Sequence, residues 1–316
     1  MTKQQIIKKL KKINPLAVIL FIILAIYSIS IITVLVWGFS TSLKSHIDFG
    51  DMGNVLGFPD SQYSASEMRF GNYIDRFLNF NVVVNDNSYY SALFGEVKLA
   101  SGFASFYGML FNTLFYSILC PIVHVFTTLT AAYLCAKYKY KFCEFLYALL
   151  LAIMALPIVG SAPSMMSTLR TLGLFGSYAG MIVLNLNFTG LYFFVFYAFM
   201  QGISDTYIEA AEIDGASQFH IFLRIIVPLS SKMFFTVFLL QFITTWNDYS
   251  TSYLYFPNMP TLAYGVVRVA QGGKGKETYI PMKTTLSMIL ALPLLVLFVS
   301  CKNIILGNMT MGGLKE

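Results

Sequence analysis

Apolar residues in this chain fall into long blocks separated by shorter polar intervals, and the blocks have the length needed to cross a bilayer. Leu16 to Phe39 is almost wholly apolar, and about twenty such residues span the hydrocarbon core as a helix. Further blocks run over 109–134, 145–167, 178–200, 225–245 and 284–305. The pattern predicts an all-α polytopic membrane protein with six transmembrane helices. A basic start followed by an apolar run also describes a signal peptide. Here the run exceeds the usual span of roughly 7–15 residues and no small-residue cleavage site closes it, so it is read as a retained first span. Pro121 and Pro293 fall inside the second and sixth blocks, and the third carries Pro157, Gly160 and Pro163, a combination that breaks helices. Such breaks are tolerated where backbone is buried in protein or lines a cavity, and an ordinary proline kink against a neighbour is the alternative.

The intervals divide the chain into a basic segment 1–15, the first span 16–39, a mixed loop 40–108, a core 109–307 and a tail 308–316. The loop sets seven acids among many aromatics and Gly, Asn and Asp clusters, which predicts turns in a small extracellular cap. One interval differs from the others. Glu209 to Leu229, EAAEIDGASQFHIFLRIIVPL, is long, charged and amphipathic. It reads as two short helices within 205–224, parted at Asp214-Gly215. Thr206 followed by Glu209 has the form of a capping box, Ser217 is placed to cap the second helix, and Phe219, Phe222, Leu223 and Ile226 recur at helical spacing. Periodicity alone equally fits a surface helix lying on lipid.

Composition supports membrane insertion. Hydrophobic residues make up 57% and charged residues 11%, against roughly a quarter charged in soluble chains. Cys120, Cys135, Cys143 and Cys301 lie in or beside apolar blocks without metal-ligand spacing, and His46, His124 and His220 are scattered. No catalytic residues are identified: the chain carries no His-Glu cluster, phosphate-cradling glycine loop or nucleophile elbow. Transport is the class that remains.

Charge orients the spans. With both termini and the Glu209–Leu229 stretch on one side, that side holds twelve basic and six acidic residues, and the other holds nine of each. The excess marks the cytoplasmic face and accounts for the net charge of +6 without nucleic-acid binding. Asp and Glu are absent from the interiors of all six blocks, which argues against a proton- or sodium-coupled secondary transporter.

Placed in the cytoplasm between the fourth and fifth spans, Glu209-Ala210-Ala211, Asp214-Gly215-Ala216 and Ile226-Val227-Pro228-Leu229 resemble the EAA motif of ATP-binding-cassette importer permeases of the carbohydrate-uptake, MalG-like branch. Phe39 to Lys44 (FSTSLK), Asn112-Thr113, Ala131-Ala132-Tyr133, Trp246-Asn247-Asp248 and the ending Met311 to Lys315 agree with it, whereas Glu316 stands where many relatives end in glycine. The resemblance implies a type I importer permease (MetI-like) fold in a bacterial cytoplasmic membrane. It implies a second, MalF-like permease, two ATPase subunits and an extracellular solute-binding protein as partners, with ATP and magnesium bound by the ATPases and no cofactor by this chain. Glu209, Ala210, Ala211, Asp214 and Gly215 would couple to an ATPase. The tail would reach toward the ATPase dimer.

Sugar hydroxyls need donors, acceptors and aromatic faces. Asn185, Asn187, Tyr192, Gln241, Thr244 and Asn247 are the polar or aromatic candidates for a sugar path; interhelical hydrogen bonding is the alternative for each amide. A polyol or a glycerol phosphodiester is the alternative cargo.

Overall fold

A computed structural model describes residues 15–60, 62–63, 71–84, 102–138, 140–156, 160–272 and 279–309. The basic segment 1–14, most of the loop interior, Pro157, the loop residues Lys274, Lys276 and Glu277, and the tail from residue 310 lie outside that set. Two compact units are formed, one by residues up to Arg76 with 272–289, the other by 77–271 with the residues from Leu290 onward.

In the first unit, α1 (Pro15–Ser42) is apolar on every side, as a lipid-facing helix is, and its transmembrane stretch buries nothing within the chain. It stops where side chains take over its last carbonyls. Asn72 Nδ2 on α2 (Gly71–Asn79) donates to Ser42 O at 2.8 Å and Lys44 O at 2.9 Å, and Thr285 Oγ1 donates to Ser42 O at 3.1 Å. The Ser42 hydroxyl pairs with Tyr73 at 2.7 Å. Terminal helix carbonyls lack intrahelical partners; here Ser42 O gains two donors, and Lys44 O just beyond the helix gains one.

The second unit is organised on α3 (Phe106–Lys137), whose first turn is capped by Ser105 Oγ accepting from Gly108 N at 3.3 Å. A two-stranded antiparallel ribbon, β1 (Asn81–Val84) with β2 (Gly102–Ser105), precedes it in the register Asn81 opposite Ser105. The described residues are mostly helical, as expected, with this short ribbon added to the helices. Val125, Leu129, Ala132 and Tyr133 of α3 pack into a buried cluster with Phe193, Phe196 and Met200 of α7 (Leu191–Gln201) and Val237 of α10 (Ser231–Trp246).

The predicted spans meet three outcomes. The first and second lie within α1 and α3, and the sixth within α13 (Ile280–Met309). The fifth is bent by 71° between α9 (Gln218–Leu229) and α10; the straight run starts at Ser231, later than the expected Ile225. Pro228 and the Ser230 hydroxyl, which donates to Ile226 O at 2.7 Å, sit at the bend. The third is divided into α4 (Lys141–Ala155) and α5 (Ser161–Thr171); Gly160 precedes α5 with φ +85°, and Pro163 lies within its first turn.

The fourth is divided into α6 (Tyr178–Leu184) and α7, a break the sequence reading did not anticipate. Asn185 and Asn187 donate to the carbonyls of Met181 and Leu184 at 2.9 and 3.0 Å, offering the backbone an alternative to the helix ladder. Among the described residues, three helices are long and apolar enough to cross a membrane, and the bent pair makes a fourth.

Candidate functional site

The Glu209–Leu229 stretch is built as two helices about a left-handed glycine. In α8 (Thr206–Ile213) the backbone ends with Asp214 N donating to Ala210 O, Gly215 N to Glu212 O and Ala216 N to Ala211 O, and Gly215 holds φ +80°. That conformation costs an ordinary L-residue roughly 1–2 kcal/mol. Ser217 then caps α9, accepting from His220 N at 3.3 Å. The break and the second cap agree with the sequence reading.

The expected capping box does not form. Thr206 is the first residue of α8, with Asp205 before it, and its hydroxyl and N–H are engaged by Ser204 Oγ at 2.8 and 3.3 Å. Glu209 is left exposed in the first helical turn, where the helix dipole favours a carboxylate.

The apolar face also differs from the predicted one. Phe222–Ile226 is wound as a π-helix, with Val227 N reaching back to Phe222 O. This extra residue per turn shifts the register: Ile221, Phe222 and Ile226 are buried, while Phe219 is 71% and Leu223 38% exposed. Phe222 stacks at a tilt on Tyr133 with ring centroids 5.1 Å apart.

Ala211 belongs to this buried cluster and is already occupied by the chain's own side chains. Ala210 faces out, beside Tyr207 and Ile213, the latter 86% exposed. Tyr207, Ala210 and Ile213 are thus presented on one side of α8, with Glu209 and Asp214 also exposed, and Phe219 is exposed on α9, while Ala211, Ile221, Phe222 and Ile226 anchor the two helices in the core.

Two polar links fasten these helices to the end of α3, and neither was foreseen. Lys137 Nζ donates to Asp205 Oδ1 at 2.7 Å and also to Ile203 O. Tyr138 donates to Gln218 Oε1 at 2.5 Å, and Gln218 Nε2 donates to Glu212 Oε1 at 2.5 Å. Only the fold shows that Lys137 and Tyr138 reach partners 66 to 80 residues along the chain.

The expected sugar-path residues form two groups, both beside α3. Asn185 shares the Met181 carbonyl with Cys120 Sγ, and the Tyr192 ring lies edge-on to His124 at 6.4 Å. On α10, Thr244 and Asn247 donate to Leu240 O and Ile243 O, each at 3.0 Å, and Gln241 is half-buried. Asn185, Asn187, Thr244 and Asn247 each donate to a carbonyl three or four residues earlier in the chain. Each asparagine retains a second N–H and its carbonyl lone pairs by valence.

Asp248, next to Asn247, is the polar centre at the far end of α3. It accepts from Tyr116 at 2.8 Å, from Ser250 N and Oγ at 2.9 and 2.8 Å, and from Thr251 N at 3.1 Å. Burial opposes its ionisation, yet the hydrogen bonds from Thr251, Ser250 and Tyr116 outweigh that cost and hold the carboxyl below its usual range.

Comparison with known proteins supplies the context. Residues 100–306 match the family model described as "Binding-protein-dependent transport system inner membrane component". A probable ABC transporter permease protein of Pyrococcus horikoshii is 29% identical over 46% of this chain and 54% of its own, so the match spans about half of that relative. The arabinooligosaccharides transport system permease protein AraQ of Bacillus subtilis is 25% identical over 69% of this chain and 76% of its own. Among solved structures, a bacterial ABC transporter involved in the import of the acidic polysaccharide alginate has a chain that superposes with a TM-score of 0.69. That superposition covers 96% of this chain and 98% of the other at 17% identity, a likeness of fold alone.

Proposed function

This chain belongs to the inner membrane components of binding-protein-dependent transport systems, the permease subunits of ABC importers, and from that premise we propose that it moves a sugar or oligosaccharide by alternating access. It forms half of the translocation path beside a second permease. It crosses the membrane six times, α4 with α5 and α6 with α7 each counting as one broken crossing, and both termini are cytoplasmic. Two ATPase subunits bind the ATP and magnesium, and an extracellular binding protein delivers the cargo.

The single observation that carries the coupling role is the patch on α8 and α9. Ile213 and Phe219 are large apolar side chains held outward by two helices with other residues buried in the core, and the Glu209 carboxylate is exposed on the first of them. Apolar groups ringed by charge mark protein interaction surfaces. Ala210 permits close approach and Glu209 supplies an acceptor for a basic or amide group of the ATPase. Gly215 and Asp214 fix the angle between the two helices. When the ATPases close on ATP, α8 and α9 move as one piece, and the Lys137 and Tyr138 links pass that displacement to α3.

Sugar cargo is supported by the permease relative named for arabinooligosaccharides and by the supply of amide, hydroxyl and aromatic groups at Asn185, Asn187, Tyr192, Gln241, Thr244 and Asn247. The test is ATP hydrolysis by the complete complex, reconstituted with its binding protein and offered a panel of glycans, polyols and glycerol phosphodiesters. Stimulation by a glycan supports the reading. Stimulation confined to a polyol or phosphodiester rejects the cargo and leaves the coupling role standing.

A further inference from the structure

In the first unit, the loop that follows α1 shows its apolar side chains to the outside, while its carbonyls accept hydrogen bonds from within the unit. Leu56 is 86% exposed, Phe58 79%, Met52 52% and Val55 42%. Five of its carbonyls nevertheless have donors. Gly53 O accepts from Val55 N at 2.8 Å, and Asn54 O from Lys44 Nζ at 2.6 Å. Val55 O accepts from Trp37 Nε1 at 2.9 Å, Gly57 O from Ser40 Oγ at 3.3 Å, and Phe58 O from Asn54 Nδ2 at 2.8 Å. Asp48 completes the frame, its two carboxylate oxygens taking Asn54 Nδ2 and Asp60 N, each at 2.9 Å.

In a loop surrounded by water the carbonyls would be solvated and the large apolar groups turned in. The reverse arrangement suits surroundings poor in water, where every unsatisfied backbone group is costly. Two of the tethers, Trp37 and Ser40, belong to the last two turns of α1, so the loop lies level with that end of the helix. Trp37 itself is of the type enriched at the membrane–water boundary. The exposed side chains of the loop continue the exposed apolar surface of α1, which includes Val34, Val36 and Phe39.

We propose that the loop from Met52 to Asp60 is a membrane-interface anchor. Leu56 and Phe58, flanked by Met52 and Val55, enter the boundary between headgroups and acyl chains of the leaflet at the C-terminal end of α1, and Lys44 and Asp48 set the loop rigidly for that purpose. This goes beyond the transport reading and does not depend on the cargo or on coupling.

The test is nitroxide accessibility in the full complex in lipid nanodiscs. Leu56→Cys and Phe58→Cys are each spin-labelled in a background with Cys120, Cys135, Cys143 and Cys301 replaced by alanine, and a label at Asp51 is the water-exposed reference. Oxygen, which concentrates in lipid, is expected to relax both labels more strongly than a water-soluble nickel chelate does, with the opposite order at Asp51. Nickel accessibility equal to that at Asp51 would overturn the proposal. So would labels sheltered from both reagents in the assembled complex, since a neighbouring subunit would then cover the loop.

Discussion

Lys137 at the end of α3 lies 2.7 Å from Asp205 at the entrance to α8, and the same ammonium donates to the Ile203 carbonyl. The two members of the pair sit differently: the Lys137 side chain is 7% exposed and that of Asp205 66%. An exposed carboxylate is screened by water and contributes little, whereas a buried ammonium that loses its acceptors is costly. Asp205→Asn is therefore expected to change stability by less than about 1 kcal/mol, because Ile203 O still accepts from Lys137. Lys137→Met removes both bonds and is expected to cost about 1–3 kcal/mol. Thermal midpoints of the two variants in detergent check the order; equal midpoints would remove the lysine from its place as the link.

Gly215 is the second point of control. A Cβ built there meets nothing within 4 Å, so any penalty comes from its φ of +80° alone. Gly215→Asn is expected to retain most coupled import, since asparagine visits the left-handed region, and Gly215→Ala to lose more. Gly215→Pro, with φ fixed near −65°, is expected to leave the protein inserted while import per ATP hydrolysed falls at least about tenfold, the equivalent of about 1.4 kcal/mol. The ratio is measured on reconstituted complexes.

Asp248 predicts an acid-sensitive lock at the opposite end of α3. Its folded carboxyl is held below the usual range, so its contribution is complete above the unfolded value of about 4 and is lost as pH falls through the lower folded value. Asp248→Asn is expected to melt below the parent at pH 7, and the gap between the two should narrow over the interval from pH 7 down to below about 4. Melting curves at both ends of that interval decide it; a gap that stays constant would show that the carboxylate's charge contributes nothing.

Packing makes a separate demand at Gly180. A Cβ there would sit 2.2 Å from the Leu174 carbonyl oxygen and 3.1 Å from Phe256, and a backbone atom cannot yield as a flexible side chain does. Gly180→Ala is expected to destabilise the second unit by about 1–3 kcal/mol or more. Detergent-solubilised yield and thermal midpoint report it.

The sequence was most legible where one chemistry acts along a whole segment. The apolar runs of α1, α3 and α13 decide those helices because lipid and core both reward them, and the Asp214-Gly215 break was visible because only glycine takes that φ cheaply. Features set by competition between neighbours were hidden. Thr206 has the capping-box letters, but Ser204 reaches its hydroxyl first. Phe219 has the helical spacing, but the buried side falls on Ile221, Phe222 and Ile226, the last displaced by the π-turn at Phe222–Ile226. The Asn185 and Asn187 amides divide the fourth apolar run although its hydropathy is continuous. Ala211 looked equivalent to Ala210 until the fold buried one and exposed the other.

Whether α8 and α9 meet an ATPase or lipid is reported most directly by Ile213, which is 86% exposed. A photo-crosslinking p-benzoyl-phenylalanine at Ile213, irradiated in intact cells producing the whole transporter, is predicted to yield a covalent adduct with the ATPase subunit, whereas the same probe at Leu20 of α1 yields none. Adducts to lipid alone at Ile213, with the ATPase present in the purified complex, would contradict the account.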